Sequence, residues 1–271
     1  MMLKTKDLTY AYEDGTIALE NVNIDLSKGK VVGIIGSNGS GKSTLFLNMI
    51  GILKPKSGAV YYKENPIKYN KKFLREYRKQ VNIVFQDPDK QIFYSNVCDD
   101  VAFALRNLGY DEDEISNRVV STLKRVGAYS LKDKPVHFLS YGQKKRIAIA
   151  GVLVMDSSTL LFDEPTSGLD PIMTREIVNI IEDISREKTI AISSHDMNLI
   201  YEICDYVYVL KNGLVIGEGT VTEVFVRESI LKVAGLEEPW LVKLHKNLDI
   251  PLFRKEEDFY KFWKSKYEGI R

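Results

Sequence analysis

Apolar and polar positions alternate roughly over residues 3–10 and 22–26, the period of half-buried strands, and Gly15 marks a turn region between them. An antiparallel sheet is therefore expected at the N-terminus. Residues 31–35, Val-Val-Gly-Ile-Ile, form a short apolar, mostly β-branched run, as in a fully buried strand, and 42–50 then has a helical pattern. Three more short apolar runs, 81–85, 160–162 and 189–192, are separated by helical patterns, which predicts a mostly parallel sheet with helices on both faces. One of these helices is 172–184: Ile172, Ile177, Ile180, Ile181 and Ile184 share a side, and Pro171 suits the first turn. Between about 87 and 158 strands give way to helical patterns, so a helical subdomain is inserted into the sheet domain. Residues 206–210 and 214–218 flank Asn212-Gly213 as a hairpin with a type I′ turn. Thr220 and Glu223 have capping-box spacing and open a helical stretch that runs to the end of the chain. The expected organisation is an α/β unit over 1–219, its helical subdomain at about 87–158, and a C-terminal helical extension over 220–271.

The segment Gly36-Ser37-Asn38-Gly39-Ser40-Gly41-Lys42-Ser43-Thr44 fits GxxxxGK[ST] and lies between the apolar strand and the helix, the context that motif requires. Glycines let the backbone curl so that successive amides point at phosphate oxygens, and the helix N-terminus adds partial positive charge. Lys42 would then bridge the β and γ phosphates of ATP, and the Ser43 hydroxyl would serve Mg²⁺, which prefers oxygen ligands. A second apolar strand ends in Asp163-Glu164. Asp163 is expected to anchor the Mg²⁺ shell and Glu164 to polarise the attacking water as a general base.

Composition narrows the partners. Lys plus Arg (38) nearly equals Asp plus Glu (37) among 271 residues, so no global field would draw nucleic acid or an anionic membrane. Cys98 and Cys204 match no zinc or redox spacing, as expected of reduced thiols in the cytosol. The start lacks a signal-like apolar core and no apolar run approaches the ~18 residues of a membrane span. Any work at a membrane would proceed through another chain.

Leu139-Ser140-Tyr141-Gly142-Gln143 precedes the apolar helical run 147–155, and Ser140 with Gln143 has capping-box spacing, so a plain helix start would account for it. The segment also resembles the LSGGQ signature of ABC ATPases and stands upstream of Asp163-Glu164, where that family places it. The resemblance, over residues 3 to about 226, implies a P-loop ABC ATPase core. It implies that Ser140, Gly142 and Gln143 contact nucleotide held by a second subunit, and Tyr141 departs from the usual glycine. Gln86 matches the Q-loop glutamine, which reaches Mg²⁺ and the attacking water. Ser167-Gly168-Leu169-Asp170 matches the D-loop, and His195 the switch histidine at the γ-phosphate. Tyr12 matches the aromatic that stacks on adenine, with Tyr10 as a competing candidate. The family's cycle is two subunits closing on two ATP molecules and reopening on hydrolysis.

Phe85-Gln86-Asp87-Pro88-Asp89-Lys90-Gln91-Ile92-Phe93 looks like the FQ[ND]PxxQ(I/L)F segment of energy-coupling-factor transporter ATPases, including the cobalt-type subunits, and Lys132-Asp133-Lys134-Pro135 with residues 142–155 looks similar to the same branch, nearest to its cobalt or nickel uptake members. The partners this implies are a second ATPase subunit, identical or a paralogue, a transmembrane coupling subunit and a substrate-binding membrane subunit, with the chain peripheral on the cytoplasmic face. A vitamin or other micronutrient system is the alternative cargo. A non-transport ABC ATPase and a non-hydrolysing ATP-binding module are the rival functions. His137, His195 and His245 are scattered, so a transported metal would bind a membrane subunit. Residues 63–80 hold seven basic and two acidic side chains, expected to be a solvated surface. Phe259, Phe262, Trp263 and Tyr267 form a helical aromatic stripe that either packs on its own domain or reaches across a dimer.

Overall fold

The computed structural model describes residues 3–267. In chain order its strands are β1 (Leu3–Ala11), β2 (Ile17–Asp25), β3 (Val31–Ile35), β4 (Ser57–Tyr62), β5 (Asn65–Pro66), β6 (Val81–Val84), β7 (Thr159–Asp163), β8 (Thr189–Ser194), β9 (Tyr206–Lys211) and β10 (Leu214–Thr220). A four-stranded antiparallel sheet has the order β2-β1-β4-β5, and a six-stranded sheet the order β10-β9-β3-β8-β7-β6. Neighbours from β9 to β6 run parallel, and only β10 pairs antiparallel.

Strand periodicity divides the interior in two. Val31, Ile35, Leu160, Phe162, Ile190 and Ile192 point into one core, while their neighbours Val32, Ile34, Leu161 and Ala191 point into the other. The second core lies against the antiparallel sheet and helix α1 (Lys42–Met49), whose Leu45, Phe46 and Met49 are buried in it. The sequence shows no clear signal for α2 (Lys71–Tyr77), which interrupts the basic stretch 63–80 and is capped by Asn70. That stretch is not uniformly solvated: Arg75 donates to the Asn107 carbonyl, and Arg78 to those of Ile50 and Gly51.

Between β6 and β7 lie α3 (Val97–Leu108), α4 (Glu112–Arg125) and α5 (Tyr141–Leu153). Ile115, Val119 and Leu123 of α4 recur every four residues and are buried, each stabilising the block by ~1.5–3 kcal/mol. Acids in the first turn of α4 and Lys124 and Arg125 in its last complement the helix dipole. Arg125 also pairs with Asp183 and Glu187, tying the helical block to α6 (Pro171–Ser185) and the segment after it.

After β8 come α7 (Met197–Ile203), α8 (Val221–Val226), α9 (Glu228–Ala234), α10 (Trp240–Leu248) and α11 (Glu256–Tyr267). Asn212 and Gly213 both have positive φ, 48° and 78°, as a type I′ turn demands, and Thr220 and Glu223 form a full capping box. The C-terminal helices dock on α7. Trp240 N donates to Asn198 Oδ1 at 2.9 Å, and the Arg254 guanidinium gathers the carbonyls of Tyr201, Glu202 and Cys204. Phe259 is buried beside Trp240 and Phe253, and Phe262 packs on Phe253, so this part of the aromatic stripe covers its own chain. Trp263 is 41% exposed, and the side chain of Tyr267 lies outside the described residues.

Candidate functional site

β3 ends at Ile35 and the chain turns through 36–41 into α1. Gly39 and Gly41 take φ of 79° and 107°, the left-handed region that suits glycine. Gly36 is required for space: a Cβ there would lie 2.3 Å from the Leu210 carbonyl oxygen and 2.5 Å from Ser40 Oγ. Gly41 is the N-cap of α1, and no side chain caps the first amides of that helix. Lys42, almost fully buried, bends back to donate to the carbonyls of Gly36 (2.8 Å) and Ser37 (3.2 Å). The hairpin turn packs on the loop, with Gly213 N donating to the Ser40 carbonyl at 3.0 Å.

The acids stand at the end of β7. Asp163 accepts from Ser193 Oγ at 2.6 Å. Glu164 has a φ of 45°, a left-handed conformation that costs a non-glycine residue ~1–3 kcal/mol and persists only when its surroundings enforce it. Its amide is fixed by the carbonyl (3.1 Å) and hydroxyl (3.0 Å) of Ser193. The Glu164 carboxylate, itself buried, lies 3.7 Å from Lys42 Nζ and 2.7 Å from His195 Nδ1. Its Oε1 is buried and makes no hydrogen bond. A buried acceptor in that state fits a water or a ligand proton.

A cleft of about 660 Å³ gathers Tyr12, Asn38, Gly39, Gly41, Lys42, Ser43, Thr44, Gln86, Glu164 and His195 from elements far apart in sequence. Gly36, Ser37, Ser40 and Asp163 do not line the cleft, and Asp163 accepts from Ser193, which is also outside its lining. Tyr12 lines it and Tyr10 does not; the Tyr12 hydroxyl is 2.7 Å from Thr44 Oγ1, and Tyr10 packs edge-on against Tyr12. Ser140, Gly142 and Gln143 are outside the cleft. Ser140 and Gln143 form a reciprocal capping box at the start of α5.

Two groups at this site gave no signal in the sequence. The Asn212-Gly213 turn reads as a hairpin only, yet both residues line the cleft. Lys145, in a run of three cations, reads as solvated, yet it is fully buried and its ammonium meets the carbonyls of Phe85, Gln86 and Glu164. Burial pushes its pKa down to about 8, while the Asp163, Asp87 and Glu164 carboxylates pull it back up.

Residues 19–167 match the ABC transporter family. The chain belongs to that family. It is 47% identical, over 96% of its length and 96% of the relative's, to the cobalt import ATP-binding protein CbiO of Salmonella paratyphi A. It is 45% identical to the energy-coupling factor transporter ATP-binding protein EcfA3 of Clostridium perfringens, over 96% of this chain and 90% of that one. Among solved structures it superposes on CbiO1 of Clostridium perfringens, part of the ABC transporter complex CbiONQ, with a TM-score of 0.77 and 46% identity, covering 90% of this chain and 98% of that one. No helix among the described residues is long and apolar enough to cross a membrane.

The donor set is one of hard oxygens. The Ser43 hydroxyl and Gln86 amide oxygen on the cleft lining suit Mg²⁺, Asp163 accepts from Ser193 outside that lining, and no group of three or more His, Cys, Asp or Glu among the described residues forms a metal cage. A magnesium ion here fits best as the companion of a nucleotide that brings phosphate oxygens of its own.

Proposed function

We propose that this chain is the ATP-hydrolysing subunit of an energy-coupling-factor-type importer for cobalt or nickel ions. The observation that carries the hydrolytic part is the Glu164 carboxylate, buried between Lys42 and His195 at the mouth of the glycine loop, with Oε1 3.7 Å from Lys42 Nζ and accepting no hydrogen bond. Loop amides of 36–41 and Lys42 bind the phosphates, Tyr12 faces the base, Glu164 takes a proton from the attacking water, and His195 holds Glu164 and the γ-phosphate in register. Ser43, Gln86 and Asp163 would hold Mg²⁺, which would supply charge neutralisation to the phosphates. Ser140, Gly142 and Gln143 stand outside the cleft of their own chain, and the likeness of their segment to the LSGGQ signature implies that they complete the site of a second subunit.

The membrane partner docks beside the Q-loop. A groove of about 270 Å³ runs from Phe85 and Gln91 past Phe93, Phe103 and Ala148, with Arg78 and Asp100 among its polar lining. An amphipathic segment of a membrane-spanning coupling subunit fits this mix, and binding there would press directly on the loop that carries Gln86. The cargo assignment rests on the names of the relatives and on the likeness of residues 132–135 and 142–155 to cobalt and nickel uptake members. Purified with its membrane subunits, the complex is expected to take up cobalt or nickel; uptake of a vitamin instead would overturn the cargo.

Glu164→Gln is expected to keep ATP binding and lose ~10²–10⁴ in turnover, since the amide fills the same space without basicity. Phosphate release and an ATP-induced thermal shift together read this. Turnover at the wild-type rate would remove Glu164 from the chemistry.

A further inference from the structure

The signature tyrosine and the buried lysine one turn later share a target. Tyr141 Oη donates to the Gln86 carbonyl at 3.2 Å, and Lys145 Nζ donates to that same oxygen, so both lone pairs of one peptide are used. Lys145 also reaches the carbonyls of Phe85 and Glu164, each at 3.5 Å. Three ammonium protons therefore face three carbonyls drawn from the two loops that carry Gln86 and Glu164. A fully buried ammonium costs several kcal/mol in lost hydration, and an apolar side chain would fill the space without that cost. What the ammonium alone supplies is a tie between the two loops.

Tyr141 closes a ring of contacts around the same peptide. Its aromatic ring covers Gly168, where an added Cβ would come within 3.3 Å of it. Next to Gly168, Ser167 Oγ accepts from Gln86 Nε2 at 3.3 Å. The Gln86 backbone is thus gripped by α5, and its side chain by the D-loop lying under Tyr141. Glycine at 141, the common form in the family, could make neither contact.

We propose that Tyr141 and Lys145 are positioning residues for ATP hydrolysis, holding the Gln86 and Glu164 peptides in one fixed relation from the first turns of α5. The proposal rests on the assignment of Gln86 and Glu164 to the hydrolytic site. It makes Tyr141 a working part of the signature: the residue that differs from the family's glycine reports the position of α5 to the Gln86 loop of its own subunit.

The test uses the full chain with Mg-ATP and compares Tyr141→Phe, Lys145→Gln, Lys145→Arg and the Tyr141→Phe/Lys145→Gln double variant, with Glu164→Gln as the control. Tyr141→Phe removes one hydroxyl and should lower kcat by about three- to tenfold, with KM within about twofold and melting temperature little changed, because small misplacements of catalytic groups act on kcat. Lys145→Gln should lower kcat by about tenfold or more, and Lys145→Arg should recover part of it. The double variant should lose less than the product of the singles, since both act on one peptide. An unchanged kcat in Tyr141→Phe, or an effect confined to KM, overturns the proposal, and Tyr141→Phe decides alone if the lysine variants do not fold. Wild-type turnover in Glu164→Gln would instead show that the hydrolytic assignment beneath it is wrong.

Discussion

Residues 36–41 are held by their own backbone and by β9 and the turn after it, whereas residues 86–91 add to their local Asp87 cap side-chain ties exchanged with α5. In the phosphate loop the determinants are local: two left-handed glycines, a third pressed against the Leu210 carbonyl, and Lys42 folded onto Gly36 and Ser37. In the Gln86 loop remote ones join the local Asp87 cap on the Asp89 amide. Tyr141 and Lys145 hold Gln86, Lys144 pairs with Asp89 at 2.7 Å, and Gln91 spans from the Phe85 amide to the Ala148 carbonyl, 3.0 Å at each end. The difference teaches a division of labour. The half proposed to bind phosphate is built onto the end of the interior strand β3, and the half proposed to complete the chemistry is tied to α5.

Breaking the local half should have the larger effect. Gly36→Ala places a methyl group 2.3 Å from a backbone oxygen that cannot rotate away, so the loop must open. ATP-induced thermal stabilisation, ~2.7 kcal/mol at a hundredfold excess over Kd, should vanish in this variant. A full stabilisation would show that the loop is more pliable than its packing implies. A smaller effect is expected from Gln91→Ala, which leaves the Phe85 amide without its partner at a cost of ~1–3 kcal/mol. Melting temperature and kcat should fall while ATP affinity stays put. If ATP affinity fell with them, the two halves would not be separable.

The same contrast explains what was legible in the sequence. The phosphate loop, β3, β7 and the Asn212-Gly213 turn are encoded by neighbours in the chain, so residue type and spacing read them directly. The capping boxes at Ser140 and Thr220 were readable for the same reason. β4 was not, because Ser57–Tyr62 acquires its strand partners from β1 rather than from its own pattern. Lys145 was hidden for a related reason: Lys-Lys-Arg has the composition of a solvated segment, and only the docking of α5 beside β6 and the Gln86 loop buries the middle member. Tyr10 and Tyr12 are likewise alike in sequence, and only the fold turns Tyr12 toward the cleft. The motif Gln86 to Gln91 could be matched to a family by spelling, while the reason for its second glutamine, a bracket between β6 and α5, appears only in three dimensions.

The signature at the head of α5 lies outside its own cleft, and the proposed function has it complete the site of a second subunit. Sedimentation of Ser140→Arg with Mg-ATP in a Glu164→Gln background tests that claim most directly, with Lys42→Ala in the same background as its complement. Ser140→Arg alone should bind ATP yet remain monomeric, because its own phosphate loop is untouched and the arginine would block the partner's site. Mixed with Lys42→Ala it should regain some dimer, because one of the two composite sites then carries neither lesion. Full ATP-dependent dimerisation by Ser140→Arg alone would contradict a site completed in trans and reduce Ser140 to the cap of a helix.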